Sequence, residues 1–381
     1  MKSVQKYRKL ETELNDIMKN RSDDIRALVL GHISMTHVVM LGDPGTGKSY
    51  LVRKFSEAFP SDKSKKVSFF EANLNPFTKP EEVFGPVDIK VWKKDSKLVY
   101  KGDNFLPNSR IAFLDELSRG EAVLNTLLTI LNERLFNING IATKVPLEMA
   151  VSATNFKFSS NEFEAMRDRF LQWTTPKKID LNSDDIIDLW TADEKSVTTR
   201  ITEDELEIVR SECDKVEYDN ETLKAFRDIL SELANEHGIL VSDRRSKAII
   251  QKLVKASAWL NGRTKMETDD LNDVWTALWS TEEQIPTVKS VVNKFVNPQR
   301  QTIDEIFENS QILVQNFNTN PNAVSINDVS NQLKTYYAKL GDMKVIKPNN
   351  QSQYNLTKML VEKFREKVAD IIVQKSSNLG I

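Results

Sequence analysis

The residues Gly42-Asp43-Pro44-Gly45-Thr46-Gly47-Lys48-Ser49 fit the pattern G-x-x-x-x-G-K-[ST] and run into Tyr50. Glycines at these spacings let a backbone curl with its N–H groups turned inward around a phosphate. The lysine reaches the outer phosphate oxygens, and the serine hydroxyl suits Mg²⁺. The setting matters as much as the pattern. The apolar run His37–Leu41 precedes the loop, and Leu51, Val52, Phe55 and Phe59 follow it at helical spacing. Strand, loop and helix in this order predict a site for a nucleoside triphosphate over Gly42 to Tyr50.

Such a site needs a carboxylate at the end of a second buried strand, and the run Ile111-Ala112-Phe113-Leu114 ends in Asp115-Glu116. Asp115 is expected to hold Mg²⁺ through its water shell, with Ser49 as the other protein ligand. Glu116 is expected to polarise the water that attacks the γ-phosphate, which favours hydrolysis over nucleotide storage. Ser118 is read as the cap of the next helix, in a capping box Ser118-Arg119-Gly120-Glu121, leaving both carboxylates for chemistry. A third apolar run ends in Ala153-Thr154-Asn155, where an amide can orient the same water or simply begin a turn. Arg167-Asp168-Arg169-Phe170 precedes a last strand candidate. An arginine there would sit at the domain rim and reach a neighbouring subunit's γ-phosphate, or else pair with Asp168 or Glu164.

Strand candidates at Val67–Ala72, Ile111–Leu114, Met149–Ala153 and Leu171–Thr175 alternate with helical stretches, which predicts an α/β fold with a parallel sheet flanked by helices. Residues 1–35 read as helix, with capping side chains at Arg21-Ser22-Asp23-Asp24. A helix carrying Leu124, Leu127, Leu128, Leu131 and Leu135 follows the carboxylate pair. Two hairpins interrupt the rhythm, Val87–Lys93 with Lys97–Lys101 and Leu135–Ile138 with Ile141–Val145. Beyond Pro176 charged amphipathic helices take over, at 204–214, 220–236, 243–260 and 268–279, and three more are expected at roughly 301–316, 325–340 and 352–375.

Lys and Arg number 53 against 55 Asp and Glu, a net charge of −2, so no global basic field holds nucleic acid. Cys213 is the sole cysteine, which excludes an internal disulfide and a thiolate metal cluster. His32, His37 and His237 lack metal-ligand spacing and are read as core, cap or surface residues. With no export segment and no apolar run of about 18 residues, a cytoplasmic protein without a membrane span is expected.

With these residues in view, the chain resembles an AAA+ ATPase of the MoxR family, in its RavA-like branch. Besides the two phosphate-site motifs, Pro80-Glu81-Glu82-Val83-Phe84-Gly85-Pro86, Phe105-Leu106-Pro107, Leu124-Asn125-Thr126-Leu127-Leu128 and Leu131-Asn132-Glu133-Arg134 carry the likeness, which runs from about residue 10 to about 280. It implies an ATPase core over 1–177, an all-α lid over 178–285 and a C-terminal helical extension over 286–381. It also implies Asn155 as sensor 1 and Arg169 as the arginine finger, ahead of Arg167. In Val241-Ser242-Asp243-Arg244-Arg245 it implies Arg245 as sensor 2, ahead of Arg244, acting in cis or in trans. The hairpin over 87–101 resembles a helix-2 insert and that over 135–145 a pre-sensor-1 hairpin. Asp43 departs from the proline common at its position, and residues after about 300 match nothing in the family.

The resemblance further implies ATP and Mg²⁺, a homo-oligomeric ring of hexameric type, and a protein client. A von Willebrand A-domain partner would be a separate protein, because no Asp-x-Ser-x-Ser motif occurs in this chain. Two rival functions stand beside this one. Lys90, Lys93, Lys94 and Lys97 crowd the first hairpin and would suit a nucleic-acid motor, although the neutral net charge weighs against it. A nucleotide-gated scaffold would hydrolyse slowly and use its C-terminal helices for binding.

Overall fold

The computed structural model describes residues 2–60, 67–95, 104–138, 141–155, 166–179, 191, 195–319, 326–343, 346 and 351–378. They form two compact units, Met1–Val288 and Lys289–Ile381. In the first, β1 (His37–Leu41), β2 (Val67–Asn73), β3 (Ser109–Asp115), β6 (Met149–Thr154) and β7 (Phe170–Thr174) make one parallel sheet in the order β2-β3-β6-β1-β7. Every residue of β1, β6 and β7 is buried, as expected of parallel strands covered on both faces. Helices α1 (Lys2–Ile17), α2 (Ser22–Ile33), α3 (Lys48–Ser56) and α6 (Glu121–Glu133) flank it. The predicted stripe Leu51, Val52, Phe55 and Phe59 is fully buried.

Local chemistry redrew several expected elements. The first helical stretch breaks in two because Asn20 adopts a left-handed conformation (φ 54°). Arg21 occupies the cap of α2 with no side-chain cap bond, so the expected capping there does not form. The expected first hairpin is wrong in its first arm: α4 (Pro80–Phe84) is followed by α5 (Ile89–Asp95). The Asp88 carboxylate accepts the backbone N–H groups of Lys90 (2.9 Å) and Val91 (3.3 Å), which starts a helix in place of a strand. Its second arm lies outside the described residues. The second hairpin forms as read, with β4 (Leu135–Ile138) antiparallel to β5 (Ile141–Lys144) and Ile138 opposite Ile141.

Ser118 does not cap α6. Glu116 takes φ 54°, ψ 42°, the chain turns through a 3₁₀ segment Leu117–Arg119, and Gly120 becomes the cap residue. Ser118 Oγ is left buried, with no hydrogen-bond partner among the described residues.

The helical half of the first unit comprises α7 (Glu203–Asp214), α8 (Asn220–His237), α9 (Asp243–Ala248), a π-helical turn Ile249–Val254 and α10 (Lys255–Leu260). Thr202, Asp219 and Ser242 accept the N–H groups of Glu205, Thr222 and Arg245, caps worth about 1 kcal/mol each. The helix expected at 268–279 is a 3₁₀ helix, Thr268–Ala277. After α11 (Ile285–Val296), the second unit packs α12 (Pro298–Thr319), α13 (Ile326–Gly341) and α14 (Gln351–Asn378) around Ile303, Val329, Leu333, Leu340 and Val361.

A buried polar chain secures the sheet edge where β3 and β6 begin. Tyr7 Oη donates to His32 Nδ1 (2.9 Å), His32 Nε2 to Glu148 Oε2 (2.9 Å), and Arg110 Nε to Glu148 Oε1 (2.9 Å). Arg110 also donates to the Pro60 carbonyl at 2.6 Å. Burial alone would raise the Glu148 carboxyl, but the hydrogen bond from His32 and the Arg110 guanidinium hold it down to about 2. A carboxyl depressed on folding stabilises fully above its ordinary range and loses that contribution as pH falls through the folded value. Glu148→Gln should therefore cost about 3 kcal/mol at neutral pH and flatten the loss of stability between about pH 4.5 and pH 2. Urea unfolding of both proteins across that window checks this; parallel pH profiles would contradict it.

Candidate phosphate site and its distant cations

Parallel strands deliver all their C-terminal ends to one edge, and here the register makes the ends level. Leu41 lies opposite Thr154, Ala153 opposite Asp115, and Asp115 opposite Asn73. The ladder continues past the strands: Gly42 N–H donates to Thr154 O (3.0 Å), Glu116 N–H to Ala153 O (2.8 Å) and Leu74 N–H to Asp115 O (2.9 Å). The glycine loop, the carboxylate pair and Asn155, which is exposed at the tip of β6, thus share one edge, with β6 between β1 and β3.

Gly45 and Gly47 have φ of 78° and 80°, conformations costly to any residue with a Cβ, and Gly47 caps α3. Thr46 Oγ1 donates to Asp43 O (3.0 Å). Lys48 Nζ crosses the loop to Gly42 O (2.7 Å) and Asp43 O (2.8 Å). Burial lowers the Lys48 pKa, and the charges of Asp115, Glu116 and Asp43 counter this in part. The loop is also held from beneath. Arg21, 4% exposed, donates through Nε and Nη2 to Thr46 O (3.2 and 2.7 Å) and through Nη1 to Asn20 O (2.6 Å) and Lys177 O (2.5 Å). No pattern in the sequence marks Arg21, because its partners are backbone carbonyls from three separate segments.

Asp115 is half-buried, and burial raises its carboxyl despite the Glu116 N–H (3.1 Å to Oδ1) and the Lys48 charge. Glu116 Oε2 is buried without a hydrogen-bond partner among the described residues; the nearest cation is Arg119 Nε at 3.6 Å. Left-handed backbone at Glu116 costs on the order of 1 kcal/mol and ends the extended run of β3 there. Ser49 stands in the first turn of α3, and Tyr50 is 36% exposed. The Ser49 hydroxyl and the strand-end carboxylate of Asp115 make a sparse oxygen donor set that fits Mg²⁺ completed by phosphate and water, not a protein cage, and Lys48 adds a cation for the phosphates themselves. Among the described residues no cluster of three or more His, Cys, Asp or Glu is placed to hold a metal alone.

The arginines singled out by sequence lie at the other edge. Phe170 begins β7 opposite His37, the first residue of β1, so Arg169 stands a full five-residue strand, roughly 16 Å, from the edge bearing the loop. It lines a cavity of about 290 Å³ with Arg134, Arg244, Arg245 and Lys252, where Asp168 is the one carboxylate among the described residues. Arg245 does not extend into solvent. It is 5% exposed, and its guanidinium donates to the carbonyls of Ala277 (2.6 Å), Leu171 (2.6 Å), Phe170 (3.3 Å) and Arg167. Burial pushes its pKa down to about 9. Arg244 is exposed and donates to Asn132 Oδ1 at 2.5 Å. Arg167 donates to Leu278 O (3.3 Å). Lys252 has no mark in the sequence, and Arg134 enters there only as the last residue of the segment Leu131–Arg134, with no role at a site. Arg134 ends α6 in a left-handed turn that folds it back to the Met35 carbonyl at 3.1 Å.

Residues 5–217 match the family model of the MoxR domain in MoxR-vWA-beta-propeller ternary systems, and residues 220–292 match an AAA lid domain. Two uncharacterized proteins of Methanocaldococcus jannaschii are similar along most of their length. MJ0079 is 32% identical over 77% of this chain and 75% of its own, and MJ0812 is 31% identical over 78% and 80%. Among solved structures, a protein of Cytophaga hutchinsonii provisionally described as an ATPase aligns with a TM-score of 0.59 and 16% identity, covering 77% of this chain and 94% of its own. At that identity the likeness concerns the fold. No helix among the described residues is long and apolar enough to cross a membrane.

The two left-handed glycines differ in surroundings. A Cβ on Gly47 would come within 2.8 Å of Met18 Cε, whereas one on Gly45 meets nothing within 4 Å. Gly45→Ala should lose only the backbone term of about 1–2 kcal/mol. Gly47→Ala should lose the same backbone term and little more, because the atom it meets is the mobile end of the Met18 side chain, which can swing aside. Thermal unfolding of the nucleotide-free variants checks this, and a much larger loss in Gly47→Ala that Met18→Ala relieves would contradict it.

Proposed function

The chain belongs to the MoxR family of AAA+ ATPases, and from that premise we propose that it binds ATP with Mg²⁺ over Gly42 to Tyr50 and hydrolyses it at a site completed by a neighbouring subunit. The cycle then remodels or matures a protein client. The observation that carries the shared site is the separation of Arg169 from its own phosphate loop by the length of β7. An arginine so placed can serve a nucleotide only on a second copy, which in turn calls for a ring, here taken as a hexamer.

Within one site the chain's residues divide the work. The loop N–H groups and Lys48 bind and orient the phosphates. Glu116 accepts the proton of the water that attacks the γ-phosphorus as the bond to the β–γ bridging oxygen breaks, and Asn155 orients that water. Mg²⁺, when bound through Ser49 and the water shell of Asp115, neutralises phosphate charge. Arg169 supplies the charge that stabilises the transition state in trans. The lid arginine that meets phosphate is taken to be Arg244, not Arg245, and because Arg244 lines the same distant cavity as Arg169 it serves the neighbouring subunit's nucleotide. The guanidinium of Arg245 is committed to four carbonyls and acts as a positioning residue for the Arg169 turn.

The family match carries a von Willebrand A-domain protein as a candidate separate partner. The RavA-like branch rests on the segments at 80–86, 105–107 and 124–134. The cytoplasmic reading rests on the use of a single cysteine, Cys213, which leaves no disulfide framework of the kind common in exported domains.

Steady-state ATPase activity tests this reading. Specific activity should climb with protein concentration, vanish in Lys48→Ala, and fall on the order of 10³-fold in both Glu116→Gln and Arg169→Ala while nucleotide binding persists. Turnover in Arg169→Ala equal to wild type would end the shared-site model. Arg244→Ala should lower turnover without changing the melting temperature. Arg245→Ala should destabilise the protein by about 3 kcal/mol, since four carbonyls lose their donor.

A further inference from the structure

Of the large apolar side chains exposed in the first unit, Phe77, Ile89 and Trp92 all belong to the connection between β2 and β3, at 88%, 61% and 53% exposure. Ile89 and Trp92 are three residues apart on α5 and therefore neighbours on its surface. At about 100° per residue, Lys93, Lys90 and Lys94 fill the arc beginning beside Ile89. All three lysines are exposed. Asp88, four residues before Trp92, lies on the opposite flank of the pair from the lysines, and its carboxylate is already engaged by the N–H groups of Lys90 and Val91. The exposed face of α5 thus carries an apolar pair with three cations along one flank.

We infer that this face of α5 docks an acidic protein segment bearing bulky apolar residues, and so selects the client of the ATPase. The inference rests on the client-remodelling reading above and adds a substrate class to it. Each part of the surface has a matching demand. Covering the exposed parts of Ile89 and Trp92 is favourable only against apolar surface, so a partner must bring apolar side chains. Exposed tryptophan is the side chain most able to anchor such a contact. The lysine rim speeds encounter with carboxylates and rejects basic segments. A nucleic acid would satisfy the lysines but leave Ile89 without a partner, because an aliphatic side chain offers no platform for base stacking.

The full-length protein can be titrated into three fluorescein-labelled probes, read by anisotropy. These are a short peptide of Glu, Leu and Phe, the same peptide with Lys in place of Glu, and an oligothymidylate. The acidic peptide should bind and weaken with added salt, and the basic peptide should not bind. Affinity for the acidic peptide should fall more than about tenfold in Trp92→Ala and in Lys90→Glu/Lys93→Glu/Lys94→Glu. Basal ATPase activity of both variants should equal that of wild type, since these exposed residues lie outside the phosphate site. No binding of the acidic peptide, binding that survives both variants, or preference for the oligothymidylate would each overturn the inference. Intact ATPase activity without peptide binding would defeat this inference alone. Absent ATPase activity in wild type would instead defeat the reading on which it rests.

Discussion

The insertion of β6 between β1 and β3 is the constraint on which the remaining geometry depends. Backbone hydrogen bonds from Gly42 and Glu116 both end on β6, at Thr154 and Ala153, so the loop and the carboxylate pair are indexed against the same strand. Because all five strands are parallel, the same order that collects these groups at one edge sends the starts of β1 and β7 to the other. The separation of Arg169 from the loop is a direct consequence. A sheet of this kind has two chemically unlike edges. One presents N–H groups and carboxylates; the other presents Arg134, Arg169, Arg244 and Lys252 around a cavity in which Asp168 is the single acid among the described residues.

The N-terminal helices connect the loop to the helical half. Met18 and Arg21, at the turn between α1 and α2, touch the loop at Gly47 and Thr46. Along the same two helices, Lys6 pairs with Glu205 (2.5 Å), Arg26 with Asp273 (3.0 Å), Arg8 donates to Leu260 O (2.9 Å), and Tyr7 packs edge-on against Trp259. A change at the loop therefore has a continuous path of packed side chains and ion pairs into the lid. Arg245 makes a second connection, tying α9 to the backbone on either side of Arg169. Both connections tie the helical half to the rest of the unit through buried arginine or aromatic contacts.

Misread elements share one cause. Asp88 turned an expected strand into α5, Glu116 turned an expected cap into a 3₁₀ segment, and Asn20 divided an expected helix. In each case one residue's backbone conformation or a short side chain bonding to nearby N–H groups outweighed the hydrophobic pattern. The strands were read to within two residues at each end because the buried apolar runs of β1, β3, β6 and β7 leave no competing arrangement, and β2 pairs along β3 at the sheet edge. The hairpin over 135–144 was read correctly because two short β-type runs flank Asn139-Gly140.

The sequence by itself determined the phosphate loop, the carboxylate pair and the alternation that makes a parallel sheet, because these depend on residues adjacent along the chain. Membership of the family follows from the same local segments. Tertiary structure alone decided that Arg245 is buried on four carbonyls while Arg244 faces outward. It also decided that Arg21 holds Thr46 in place and that Arg134 and Lys252 join Arg169 in one cavity. The physical reason is that an arginine's role is set by which acceptors surround its guanidinium. Here those acceptors are backbone carbonyls and side chains brought together from segments far apart in sequence, where residue type and spacing carry no record of them.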